Sequence, residues 1–364
     1  PDGKTHSKTF PTAREASDWV VSNKEHQRVG AWVSPDGGRT LLGEWADRWA
    51  ATRVDVRPST AARDLSYTEN HIKPAFGNLR LDSIDQTDVR EWVARLCRRG
   101  LAPATVQKAY QILAQIMGAA VDAKVIRVSP CYNVPLPKVE REEMRFLNPG
   151  EIDRLVFALA EPRDQALVLL GCYGGLRIGE LAGLNRQHVE LDKGRVRVAQ
   201  AAVEVRGHVS LQPPKTKAGR RTIPLPRTVV ESLRYVLAKH AAPEPEAPLF
   251  ATFGTTKNQV HKGERLRPNN WRRTTWVPAV KAAGLDPLRI HDMRHTAVAL
   301  WIATGAPALQ VSRRAGHSSV SFTLDRYGHL YEEADDALTA RLERFLAGSK
   351  PVAVGDEYGQ VIRL

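Results

Sequence analysis

The residues best suited to chemistry stand in the second half of the sequence. In His291-Asp-Met-Arg-His295, a helical turn of about 100° per residue puts His291, Arg294 and His295 on one face. Met293, Ala297, Leu300 and Trp301 then form the apolar stripe. A proton donor and a planar cation therefore point the same way. Further upstream, Arg177 follows the Gly174-Gly175 turn and opens a helix whose Ile178, Leu181 and Leu184 read as core. Glu180, three residues on, can hold that guanidinium by an i,i+3 pair. Pro214-Lys215-Thr-Lys217-Ala-Gly-Arg220-Arg221 reads as a basic turn between strands, and Ala315-Gly-His317-Ser-Ser is followed, ten residues after His317, by Tyr327. Taken singly, each has an ordinary structural explanation, such as a buried salt bridge, an exposed basic hairpin or a helix end.

Other chemistries fit poorly. The two histidines at i and i+4 imitate a zinc-protease helix, but Asp292 stands where that motif needs Glu, and Arg294 would put a cation beside the metal. Gly3-Lys4-Thr5 lacks the upstream glycine and following helix of a nucleotide-phosphate loop. The acidic cluster from Glu332 to Asp336 reads as a solvated helix face. Three widely spaced cysteines, Cys97, Cys131 and Cys172, suggest neither a disulfide framework nor a zinc cluster. No metal, nucleotide or other cofactor is expected, and a reducing cytoplasm is the expected location.

Composition narrows the partner. The chain has 364 residues and a formal charge of +13, with 42% hydrophobic and 26% charged residues, an ordinary globular balance. Between Arg195 and Arg234 nine basic residues face two acidic ones, and between Lys257 and Arg294 nine face three, so these two stretches together carry the whole excess. From Leu41 to Pro130 the balance is only thirteen to ten. A phosphate-rich polymer is the partner such a distribution suits. The uncharged run from Gln165 to Leu176 falls well short of the ~20 residues a membrane span needs, so no membrane is expected. The start at Pro1 suggests a processed or truncated end.

The elements that must position these residues divide the chain. Residues 1–40 look like the remnant of a small α+β module. An extended KTHSKTF leads into Thr12-x-x-Glu15, a capping box that opens a short helix with Ala16, Trp19 and Val20 inward. Over residues 41–130, Trp45, Trp49, Val89, Trp92, Val93, Leu96, Ile112, Leu113, Ile116 and Met117 recur at helical spacing and predict a bundle. Three prolines between Ser129 and Lys138 predict a linker over 131–147. The last domain, 148–348, opens with Asn148-Pro-Gly-Glu151, an N-cap with proline at the first helical position, and residues 349–364 form a tail. Val/Ile alternation from Arg195 to Leu225 predicts three short antiparallel strands. The fold class is therefore mainly α with a small antiparallel β-sheet: a helical bundle plus a mixed α+β domain.

Together and in order, GLRIGEL, PKT, HDMRHT, GHSS and the RYGH tyrosine resemble the tyrosine recombinase, or phage integrase, family. PAFGNLRLDSI and DVREWVARL resemble its core-binding (SAM-like) domain, and TFPTAREASDW the end of its arm-type DNA-binding module. Ala315 replaces the usual leucine before Gly-His. The resemblance implies a site-specific recombinase that cleaves and rejoins double-stranded DNA through a covalent 3′-phosphotyrosyl bond. In that scheme Tyr327 is the nucleophile, preferred over Tyr331 for its RYGH context, and Arg177 and Arg294 clamp the phosphate. Lys215 is the general acid with Lys217 as fallback, His291 assists proton transfer with the tyrosine, His317 bonds a phosphate oxygen, and Glu180 orients Arg177. Arg220, Arg221, Arg272 and Arg273 join Lys217 as DNA contacts. The resemblance further implies a bacterial or prophage origin, a homotetramer on two attachment sites, an excisionase-like directionality factor and a host DNA-bending protein. It also implies a helix from Glu332 to Leu346 that docks on a neighbouring subunit through Ala334, Leu338, Leu342, Phe345 and Leu346. The competing readings are a type IB topoisomerase, a noncatalytic DNA-binding regulator and a metal-dependent nuclease.

Overall fold

Apolar residues gather into separate cores, and the chain divides accordingly into two units, Pro1–Glu142 and Glu143–Leu364. The computed structural model describes residues 9–28, 37–140, 144–214, 217–252, 255–256, 259–260, 263–332, 335–347, 354–355 and 361–362. In the first unit, α1 (Ala13–Arg28) starts where the Thr12 hydroxyl accepts the Glu15 amide at 3.3 Å. Ala16 and Trp19 are half-buried, whereas Val20 is exposed. The strand expected before α1 falls mostly outside the described residues.

The longer helices of the bundle are α2 (Leu42–Thr52), α3 (Pro58–Tyr67), α4 (Gln86–Arg98) and α5 (Pro103–Asp122). Proline at the first turn of α3 and α5 costs nothing there, because that amide has no intrahelical acceptor. Asp85 and Asp88 close a capping box on α4. The stripe Val89, Trp92, Val93 and Leu96 then packs with Ile112, Leu113, Ile116 and Met117, all of them buried. Buried indoles need acceptors, and Trp45 and Trp92 donate to the Ile116 and His71 carbonyls at 3.0 and 3.1 Å. The proline-rich stretch is laid along this bundle. Cys131, Val134 and Leu136 pack on its core, and Gln86, Arg90 and Gln107 donate to the carbonyls of Tyr132, Asn133 and Pro137.

The second unit begins at α6 (Pro149–Phe157), where Asn148 and Glu151 exchange side-chain and backbone bonds of 2.9 and 3.0 Å. Two helices run through its centre, α7 (Pro162–Gly174) and, later in the chain, α11 (Asp292–Ala303). The sequence predicts an amphipathic α11, but Asp292 through Val298 are all buried. Its polar face is turned into the protein, where a site can be dry. Between the two lie α8 (Ile178–Gly183), the strands, α9 (Arg227–Lys239) and α10 (Val277–Ala282).

The strands depart from the expected three. β1 (Val189–Glu190), β2 (Arg195–Val198) and β5 (Arg221–Pro224) form an antiparallel sheet in the order β1-β2-β5. β3 (Ala201–Val205) and β4 (His208–Gln212) form a separate hairpin. The chain leaves the sheet at Gln200, whose side chain donates to the Gly183 carbonyl and to Asn185 at 2.9 and 3.2 Å, anchoring β3 against α8. Period-2 alternation continues across that break, so spacing alone does not reveal it. The carboxyl end of the unit holds α12 (Ala308–Ala315), α13 (Val320–Tyr327) and α14 (Asp335–Ala347). Ala315 is fully buried beside Ala297, Trp301 and Tyr327. Leu342, Phe345 and Leu346 of α14 are exposed, while Ala334 lies outside the described residues.

Candidate active site

The site is assembled from the ends of α7, α8, α11, α12 and α13. Glu180 is its hub. On α8 its carboxylate accepts Arg177 Nη1 at 2.9 Å and the Arg177 amide at 2.9 Å, closing the helix start. From β5, Arg221 meets the same carboxylate with both Nη atoms, at 3.1 and 2.9 Å. Burial alone would raise the Glu180 pKa, but the Arg221 and Arg177 guanidiniums overcome it and hold the carboxyl down to about 2. Glu180 is therefore ionised at any working pH and keeps two cations in register.

Arg294 enters from α11. Its Nη1 donates to the Gly175 carbonyl at 2.7 Å, while Nη2 is buried without a hydrogen-bond partner. Gly175 caps α7 in the left-handed region (φ 67°), and a Cβ there would meet Trp301 at 2.6 Å. Only glycine lets the carbonyl reach Arg294. Desolvation lowers the Arg294 pKa, and the nearby Arg177 and Arg221 push it further, to about 9. A buried guanidinium with a free N–H, crowded by like charges, is a place that an anion stabilises.

Gly316 ends α12 with φ 68° and brings its carbonyl within 3.5 Å of Arg177 Nη2. His317 follows, buried, with Nδ1 2.8 Å from the Thr323 hydroxyl. When that hydroxyl donates, the ring proton sits on Nε2 and can be given to an anion's oxygen. Burial and the guanidiniums of Arg294, Arg177 and Arg221 lower His317 to about 3, so it acts as a neutral donor. Its ring stacks on Tyr327, with centroids 6.2 Å apart and planes 10° apart. Tyr327 is 1% exposed, and its hydroxyl lies 2.5 Å from Nδ1 of His295. Burial raises the Tyr327 pKa, against the opposing pull of Arg294, Arg326 and Arg177. His291, exposed at the start of α11, sets its ring edge-on to His295 with centroids 4.7 Å apart. Asp292 behind it is tied to Arg289.

With this geometry in view, comparison with known proteins is decisive. Residues 145–334 match the phage integrase family, and residues 41–97 match the N-terminal SAM-like domain of phage integrases. The chain belongs to the phage integrase family. Membership makes it a site-specific recombinase, an enzyme that breaks and rejoins DNA. The integrase is 29% identical over 352 residues to a putative prophage phiRv2 integrase of Mycobacterium tuberculosis, spanning 94% of this chain and 90% of that one. It is 24% identical over 305 residues to the ICEBs1 integrase of Bacillus subtilis, spanning 82% and 81%. The fold is shared with a Tn1549 transposon integrase in complex with a circular intermediate DNA, at TM-score 0.67 and 21% identity, over 84% of this chain and 99% of that one. It is also shared with a lambda integrase tetramer bound to a Holliday junction, at TM-score 0.59 and 18% identity, over 87% and 88%.

The structure brings Arg177, Glu180, Arg294, His317 and Tyr327 of the integrase together, and His291 lies at their edge against His295. Lys215 lies outside the described residues, and Lys217 is described only as backbone in a short turn, Lys217–Gly219. Arg220, Arg272 and Arg273 are exposed. Arg221 corrects the expectation of a DNA contact: its side chain is 6% exposed and fully engaged by Glu180, the Arg314 carbonyl and the Gly219 carbonyl. Its neighbour Arg220, just before β5, is exposed. Tyr331, the competing nucleophile, is half-buried and bonded to the Ala306 carbonyl at 3.3 Å. Sequence reasoning placed His295 on the right face but gave it no partner, and it did not single out Thr323. Among the described residues no helix is long and apolar enough to cross a membrane, and no cluster of metal-ligating side chains occurs.

Proposed function

We propose that the integrase cleaves one DNA strand at a time by attack of Tyr327 on a phosphate held by Arg177, Arg294 and His317. The observation that carries this reading is the buried, unpartnered Nη2 of Arg294 in the same small cluster as the Tyr327 hydroxyl. Charge growing on the nonbridging oxygens is met by guanidiniums that Glu180 and the Gly175 carbonyl have already fixed, so little reorganisation is needed at the transition state. Tyr327 Oη joins phosphorus as the bond to the 5′-oxygen breaks, and the phosphotyrosyl ester keeps the bond energy for rejoining. The leaving 5′-oxygen takes a proton from Lys215, with Lys217, two residues later in the sequence, as the alternative donor. Attack is reversed when a new 5′-hydroxyl displaces the tyrosine, which makes strand exchange independent of ATP.

The substrates in this reading are double-stranded attachment sites. The bundle of residues 41–130 acts as the core-binding domain, and Arg220, Arg272 and Arg273 supply salt-sensitive phosphate contacts. Assembly is a homotetramer joined by α14, whose Leu342, Phe345 and Leu346 are exposed and so remain available to a neighbouring subunit. The amino-terminal module, a small directionality factor, a host DNA-bending protein and a cytoplasmic setting enter this proposal through the family resemblance. The test is incubation with nicked attachment-site DNA in EDTA. A covalent protein–DNA adduct that forms with the wild type and disappears in Tyr327→Phe supports the reading. An adduct that persists in that variant, or one that needs magnesium, overturns it.

A further inference from the structure

We infer that His295, rather than His291, takes the proton from Tyr327 as its oxygen attacks phosphorus and returns it when the strand is resealed. The inference rests on the reading of Tyr327 as nucleophile. The two side chains come from α11 and α13, 32 residues apart, and meet at 2.5 Å between Nδ1 and the hydroxyl. Both are buried, at 4% and 1% exposure, so bulk water is not at hand to take the proton. His295 is the hydrogen-bond partner of the Tyr327 hydroxyl among the described residues. A donor within hydrogen-bond reach of a base is the geometry that proton abstraction needs.

His291 stands outside this pair. It touches His295 edge-on and is itself exposed at the start of α11, where it can face the DNA. The dry surroundings keep His295 neutral, with help from His291 and Arg326, so its Nδ1 lone pair is open to accept. Accepting at Nδ1 places the resting proton on Nε2. The step then balances. The Oη–P bond forms, the P–O5′ bond breaks, the phenolic proton passes to His295, and the 5′-oxygen is protonated by the separate acid. On resealing, the 5′-hydroxyl gives its proton back to that acid, and His295 reprotonates the departing phenolate.

Tyr327 also needs positioning, so the test must separate holding from proton transfer. In His295→Gln the amide oxygen can still accept the phenolic bond but cannot take the proton. Full-length protein is assayed for binding to nicked attachment-site DNA and for the single-turnover rate of adduct formation. Binding is expected to stay within about twofold of wild type while adduct formation falls by about 100-fold or more, the low end for losing a general base. Installing 3,5-difluorotyrosine at position 327, which lowers the phenol pKa, is expected to shrink that deficit. A wild-type rate in His295→Gln overturns the inference, and so does a deficit that fluorination leaves unchanged. If that variant does not fold, the fluorotyrosine series in the otherwise intact protein decides. With a general base that is already neutral the rate of each analogue stays level between pH 6 and pH 8, whereas a climb of about tenfold per pH unit, up to the pKa of each phenol, means that the phenol ionises unaided and overturns the inference. Tyr327→Phe in parallel keeps the two ideas apart: an adduct in that variant removes the nucleophile itself, whereas its loss beside a normal rate in His295→Gln removes only the role of His295.

Discussion

Replacing Arg221 by Ala separates a structural cation from a DNA-binding one. The guanidinium grips Glu180 with two bonds and is buried with it, so deletion leaves a carboxylate inside the protein with Arg177 as its remaining ion-pair partner. Glu180 is held at about 2 against an ordinary 4.5, and at about 1.4 kcal/mol per unit its ionised form, net of the burial penalty that the guanidiniums overcome, stabilises the folded state by about 3.5 kcal/mol. The folded pKa is depressed, so this stability is present above pH 4.5 and is lost as pH falls toward 2. Arg221 makes the more buried contact, with both Nη atoms, and its loss should cost about 3 kcal/mol at pH 7, the low end of the range for breaking a buried pair. In a domain of this size that is a fall of roughly 6–12 °C in the melting transition of the catalytic unit. The variant should meanwhile keep the salt dependence of DNA binding unchanged. Arg220→Ala should do the reverse, leaving the melt alone and flattening the salt slope by about 0.9 for one lost phosphate contact. Calorimetry of the full chain and binding titrations at several salt concentrations read both quantities. A flattened slope with an unchanged melt in Arg221→Ala would refute the reasoning.

Other expectations follow from the same geometry. Thr323→Val removes the hydroxyl that orients His317 without changing its volume; adduct formation should slow by about tenfold with DNA affinity retained, and an unchanged rate counts against the assigned ring orientation. His295 and His317 are lowered to about 4 and about 3 from an ordinary 6.5, so the unfolded chain binds protons first as pH drops below 6.5. Folding free energy should decline by roughly 2 kcal/mol per ring between pH 7 and pH 5, and the decline should lessen in His317→Asn. Changing Leu342, Phe345 and Leu346 together to Ala should leave binding to a single site intact while reducing higher-order complexes in native gels; undiminished synapsis would place the assembly contact elsewhere.

Much of this was legible in the sequence because the functional residues fall at places the backbone itself marks. Gly175 and Gly316 announce two left-handed turns, and Arg177 and His317 stand within two residues of them. The Asn148 cap, the bundle core and the polar face of α11 follow from spacing that one helix or one turn determines. What spacing cannot give is pairing across the chain. The bond from His295 to Tyr327 joins two helices whose packing is set by Ala297, Val298, Trp301 and Ala315, and no local pattern in either helix states it. The burial of Arg221 and the exit of β3 from the sheet at Gln200 are likewise tertiary outcomes, because an Arg-rich turn and an alternating strand look the same whether or not Glu180 and Asn185 are waiting for them. The α14 stripe shows the converse. Its period predicts burial, whereas Leu342, Phe345 and Leu346 are exposed.

The central claim is that Tyr327 becomes covalently joined to DNA inside a cluster of Arg177, Arg294 and His317. Trapping the wild-type protein on nicked attachment-site DNA in EDTA, digesting both polymers and sequencing the modified peptide by mass spectrometry tests it directly. The expected product is a nucleotide remnant on Tyr327, absent in Tyr327→Phe and retained in Tyr331→Phe. A remnant on Tyr331 or on any residue other than Tyr327 would contradict the account.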